Sequence, residues 1–160
     1  MKTLYLLRHG DAVSSPHLAD ADRPLSDDGR KSVEAAGMLL KRLAAPIGAL
    51  VSSPLRRAIQ SAEIISQTLG VEKTTQSEYL VPGSRLQDLL DHVQALPADH
   101  VLLVGHEPQL SSLISYLTVG QAGLRVEVKK GSLACLAAEE PVAAGTGTLL
   151  WLVHTSHLPK

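Results

Sequence analysis

A chain of 160 residues, 44% hydrophobic and 19% charged, suits one globular domain, residues 1–160, with room for a substantial core. Its formal charge of −1 argues against a nucleic-acid-binding protein held by phosphate contacts, and Lys129-Lys130, the one lysine pair, reads as a solvated turn. Cys135 is the single cysteine, which excludes an intrachain disulfide and fits a reducing cytosol; no apolar run approaches the ~18 residues of a membrane span, and Leu4–Leu7 is too short for a secretion signal, so a cytoplasmic protein is expected.

The apolar run Leu4-Tyr5-Leu6-Leu7 predicts a buried first strand that stops abruptly at Arg8-His9-Gly10-Asp11. Residues Ala12 to Pro24 form a polar loop, and Ser26 followed by Asp27 and Asp28 caps a helix running to about Ala44. Val33, Ala36, Leu39, Leu40 and Leu43 recur on one face of it. Ala49–Ser52 predicts a second strand, and Ser53-Pro54 opens the next helix, with Ala58, Ala62, Ile65 and Leu69 as its core stripe and Gly70 as its stop. Val71–Thr75 is a weak strand, Pro82-Gly83 a break, and Leu86, Leu89, Leu90 and Val93 mark a third helix. His100–Val104 is a clear strand ending in Gly105-His106, and a fourth helix starts near Pro108. Ser132–Ala138 and Thr146–Val153 are strands with no helix between them, which predicts an antiparallel addition at a sheet edge. The expected architecture is a three-layer α/β/α sandwich on a mostly parallel sheet.

Ligands in such folds bind beyond the carboxyl ends of parallel strands. Arg8-His9-Gly10, the segment Ser53-Pro54-Leu55-Arg56-Arg57-Ala58 and Gly105-His106-Glu107 all fall there, so two histidines and at least two arginines can meet on one rim. A guanidinium beside an imidazole suits holding a phosphate and attacking it, and Gly10 permits a sharp turn or a close backbone approach.

These three segments, in this order, resemble the signature of the histidine phosphatase superfamily, the phosphoglycerate mutase-like family. Arg8-His9-Gly10-Asp11-Ala12, Arg23-Pro24-Leu25-Ser26 and the short length are most similar to its SixA-type phosphohistidine phosphatases. The resemblance implies a phosphoglycerate mutase-like fold and a metal-independent phosphatase that needs no cofactor. It makes His9 the nucleophile of a phosphohistidine intermediate, Arg8 and Arg57 a clamp on the phosphoryl oxygens, and His106 a further phosphate donor. Arg57 is selected over Arg56 because the family's arginine immediately precedes the alanine. Arg23 and Gly10 are candidate substrate-binding residues, and Glu78 is the candidate general acid, with Asp11 and Asp22 weaker. The implied partner is a phosphorylated protein bearing phosphohistidine; a small phosphorylated metabolite, or a phosphate-binding module without turnover, are the alternatives. Neither a nucleic acid nor a membrane is an expected partner. His17, His92, His100, His154 and His157 lack matching context and read as structural or surface residues.

Overall fold

The computed structural model describes residues 1–159. A six-stranded sheet with order β3-β2-β4-β1-β5-β6 carries the molecule. Its strands are β1 (Lys2–Arg8), β2 (Ala49–Ser52), β3 (Thr74–Gln76), β4 (His100–Gly105), β5 (Leu133–Ala138) and β6 (Gly147–Val153). The first four are parallel; β5 and β6 join antiparallel beside β1, as the missing helix between them predicts.

Alternation along β1 divides the core. Leu4 and Leu6 join Val101 and Leu103 of β4 under α3 (Leu86–Ala95) and α4 (Gln109–Val119). Tyr5 and Leu7 join Leu102 and Val104 under α1 (Asp27–Arg42) and α2 (Arg56–Leu69). Both faces are therefore covered, which is why these strands are continuously apolar. The result is the three-layer α/β/α architecture expected from the sequence. Among the described residues, no helix is long and apolar enough to cross a membrane.

Two boundaries differ from expectation for local reasons. Gly70 closes α2 in the left-handed region at φ 70°, and Val71 stays tied to the helix end by its N–H on Ser66 O (3.1 Å) and its carbonyl accepting from Ser66 Oγ (2.6 Å). Pairing of β3 with β2 therefore starts only at Thr74. Ser53 does not cap α2: the helix begins at Arg56, after Leu55 in extended conformation. The Ser53 side chain is used elsewhere.

Register places the rim. Arg8 of β1 pairs with Gly105 of β4, and Ser52 of β2 pairs with Val104. His9, His106 and Ser53 thus leave three neighbouring strands at nearly one level.

Candidate active site

His9 is 6% exposed, and its Nδ1 lies 2.7 Å from Gly10 O. A carbonyl only accepts, so Nδ1 carries the proton. Burial pushes the imidazole down to about 4, with Arg57, Arg8 and Lys130 adding to the effect and the Gly10 bond opposing it. At neutral pH the ring is uncharged, and Nε2 is an unprotonated nitrogen that makes no hydrogen bond among the described residues.

His106 is 2% exposed, and its ring lies 4.8 Å from that of His9, centroid to centroid. Its Nε2 meets Ser53 Oγ at 2.8 Å, while Ser53 Oγ accepts from Leu55 N–H at 3.1 Å. The hydroxyl has a proton it can give Nε2, and in that tautomer the imidazole proton sits on Nδ1. That nitrogen is buried and has no partner among the described residues. Burial lowers this imidazole to about 3, helped by His9, Arg57 and Arg8 and opposed by Asp20.

Arg57 enters from the first turn of α2 and is buried. One guanidinium nitrogen donates to Asp20 O at 2.9 Å and the other pairs with Asp20 Oδ2 at 3.2 Å. Asp20 Oδ1 also takes Arg23 at 3.1 Å. Arg23 further donates to Val13 O and Ala12 O, so the polar loop is wrapped around its guanidinium. Arg8 donates to Val128 O at 2.9 Å, and its buried Nε has no partner among the described residues. Arg56 stays outside, 3.4 Å from Asp22 O.

These groups bound a cleft of about 170 Å³ lined by Arg8, His9, Arg23, Arg57, His106, Glu107 and Lys130, with Ala12 and Pro82. The structure thus brings together Arg8, His9, Arg57, His106 and Arg23. It does not bring in Glu78, which lies exposed in the short helical turn Glu78–Leu80, away from the cleft lining. The carboxylate that lines the cleft is Glu107, whose Oε1 accepts Ser111 N–H at 2.8 Å at the start of α4. The sequence reading missed it; its place directly after His106 is the signal that could have found it. Asp11 also lies outside the cleft lining, and hydrogen bonds from Lys130 and Ser26 hold its carboxyl below the usual carboxylate range.

Gly10 serves packing. A Cβ there would stand 2.5 Å from Gly29 O, and one on Gly29 would stand 2.1 Å from Asp11 O. The turn after β1 and the first turn of α1 therefore touch backbone to backbone, and Gly10 N–H donates to Ser61 Oγ at 3.2 Å. Lys130 is exposed in a turn, as expected, and from there it also lines the cleft and pairs with Asp11 at 2.9 Å.

A rim of two neutral imidazoles and several cations, at the carboxyl ends of parallel strands, is chemically suited to a phosphoryl-sized anion. Residues 4–80 match the family model of the histidine phosphatase superfamily, branch 1. An uncharacterised protein of Picosynechococcus sp. is 31% identical over 134 residues, covering 81% of each chain. The chain belongs to the histidine phosphatase superfamily. Its fold is similar to that of the protein histidine phosphatase SixA complexed with tungstate, at TM-score 0.87 and 23% identity over 96% of this chain and 97% of that one. A phosphoserine phosphatase variant from Entamoeba histolytica, in complex with phosphoserine, superposes at TM-score 0.74 with 16% identity, covering 99% of this chain and 100% of that chain. Phosphatase is the activity class that the family supports.

Proposed function

We propose that this protein hydrolyses phosphohistidine on a protein substrate through a covalent phosphohistidine on His9. The observation that carries the reading is the state of His9: Gly10 O fixes the proton on Nδ1, and burial keeps the ring neutral. Nε2 therefore presents a lone pair to the cleft. In the first step Nε2 forms a bond to phosphorus while the substrate's P–N bond breaks and its electron pair returns to the leaving imidazole. In the second, water attacks the phosphorus, its proton is lost, and the His9–phosphorus bond breaks to release inorganic phosphate.

Charge on the equatorial oxygens spreads in both transition states, so fixed donors are the main catalytic resource. Arg8 and Arg57 supply guanidinium donors, and His106 supplies a neutral N–H. A leaving imidazole can take its proton on its distal nitrogen, from solvent, before transfer; an alkoxide leaving group must be protonated at the bridging atom itself. A cleft whose one lining carboxylate, Glu107, is engaged by Ser111 N–H suits the first better than the second.

A separate open groove along Leu124–Val128 shares Arg8 and Glu107 with the cleft and offers room for a polypeptide beside the phosphoryl group. A second reading, a phosphatase for a small phosphorylated ester, draws on Glu107 as a carboxyl group in the cleft. A cytoplasmic setting, in keeping with the lone thiol of Cys135, belongs to the same proposal.

Assaying a phosphohistidine protein against a panel of sugar and nucleotide phosphates separates the two readings, and preference for the panel would replace the first. Acid-labile phosphate trapped during turnover, absent from His9→Ala, is the expected sign of the intermediate. Full activity in His9→Ala would end the assignment.

A further inference from the structure

Lys130 reaches the cleft from the turn that enters β5, and that turn is built against the nucleophile's own segment. Gly131 N–H is shared between Arg8 O (3.0 Å) and His9 O (3.1 Å), while Arg8 N–H donates to Ser132 O (3.1 Å). Gly131 has φ 77°, and a Cβ there would stand 2.8 Å from Ser32 Oγ. The backbone carrying Lys130 is therefore held at a fixed place beside His9.

The ammonium group is steered from its far end. Asp11 Oδ1 lies 2.9 Å from Lys130 Nζ, and Asp11 Oδ2 accepts from Ser26 Oγ at 2.9 Å. Both side chains are about half exposed, at 45% and 48%, so this pair adds little to stability. An ammonium has three donors, and Asp11 occupies one of them. The sheet order supplies the rest of the argument. β1 lies between β4, which brings His106, and β5, which brings Lys130, so His9 has a donor on each flank. A transferring phosphoryl group has three equatorial oxygens to neutralise. Of the facing guanidinium groups, Arg57 has donors committed to Asp20 and Arg8 has one committed to Val128.

We propose that Lys130 is a substrate-binding residue whose ammonium, oriented by Asp11, donates to an oxygen of the bound phosphoryl group from the β5 side. The inference rests on the cleft being a phosphate site, as proposed above.

Binding of inorganic phosphate and of tungstate, by calorimetry, tests it with wild-type protein, Lys130→Met, Lys130→Arg and Asp11→Asn. Neither probe carries a flanking group, so a loss reports contact with the tetrahedral anion itself. Losing one charge-assisted hydrogen bond predicts about tenfold weaker binding in Lys130→Met. Lys130→Arg keeps the charge and is expected to recover most of that loss. Asp11→Asn keeps an Oδ1 acceptor that can orient the ammonium and removes a negative charge beside the anion, so its affinity is equal to or tighter than that of wild type. Unchanged binding in Lys130→Met overturns the proposal, as does equal weakening in Lys130→Met and Asp11→Asn, which makes the pair a mere brace. Failure of the wild-type protein to bind either anion instead removes the phosphate-site reading beneath it.

Discussion

His9 and His106 stand across the cleft with ring centroids 4.8 Å apart and planes inclined by 50°. The spacing follows from the sheet: Arg8 pairs with Gly105, so the two histidines are the next residues of adjacent parallel strands. Neighbouring strands lie about 4.8 Å apart, and the rings inherit that separation. Two imidazoles this close, buried and facing arginines, cannot both take up protons cheaply. The rim therefore presents uncharged nitrogens to an incoming anion, with positive charge supplied by the neighbouring guanidinium and ammonium groups.

This arrangement makes the fold sensitive to mild acid. In the folded chain His9 titrates at about 4 and His106 at about 3, against an ordinary value of 6.5. Below 6.5 the unfolded chain binds more protons than the folded one, so stability is full above that pH and declines as pH falls toward those depressed values. Each histidine contributes a slope of up to about 1.4 kcal/mol per pH unit. Urea unfolding is expected to show a clearly lower midpoint at about pH 4.5 than at about pH 7. His9→Gln, which cannot titrate, should flatten that dependence. A midpoint unchanged over the same range would mean that the rings are not held neutral.

Asp20 joins two guanidinium groups, with Oδ1 on Arg23 at 3.1 Å and Oδ2 on Arg57 at 3.2 Å. Its side chain is exposed, so the pairs give little stability. Their effect is on position, and an ångström of misplacement can cost about 100-fold in rate. Asp20→Ala is expected to lower kcat/KM about tenfold with a melting temperature within a few degrees of wild type. Arg57→Ala, which removes the donor itself, should lose about 100-fold or more in kcat. Steady-state kinetics and thermal melts on the two variants separate anchor from donor; a large melt shift in Asp20→Ala would reassign it to folding.

Much of this was legible in the sequence because it was carried by short local signals. Periodicity gave the helices, the absent helix after Ser132 gave the antiparallel edge, and the strand-end positions of Arg8, His9, Arg57 and His106 placed them on one rim. What escaped depended on distant pairings. Lys130 is exposed, as its sequence suggested, but its place at the cleft was hidden because nothing in its neighbours in sequence shows that Gly131 N–H bonds Arg8 O and His9 O across the sheet. Asp20 sat unremarked in a polar loop whose folded path alone brings it to Arg57. Gly10 was open to two readings, a turn or a ligand approach, and only the contact with Gly29 shows that α1 needs the space.

Glu107 and Glu78 offer a direct test of which carboxyl group belongs to the chemistry. Glu107 lines the cleft, whereas Glu78 is exposed outside it. Glu107→Gln keeps an oxygen to accept Ser111 N–H, so the entry to α4 is preserved while the acidic function is lost. An alkyl phosphate ester needs a proton on its bridging oxygen, and a phosphoimidazole can take one from solvent. The variant should therefore lose about tenfold or more in kcat on glycerol phosphate, within the range of general acid catalysis, and change far less on a phosphohistidine protein. Glu78→Gln should match wild type on both. Kinetics on the two substrates decide the matter: a loss in Glu78→Gln alone would return the acid to the turn before α3 and require that turn to move onto the cleft.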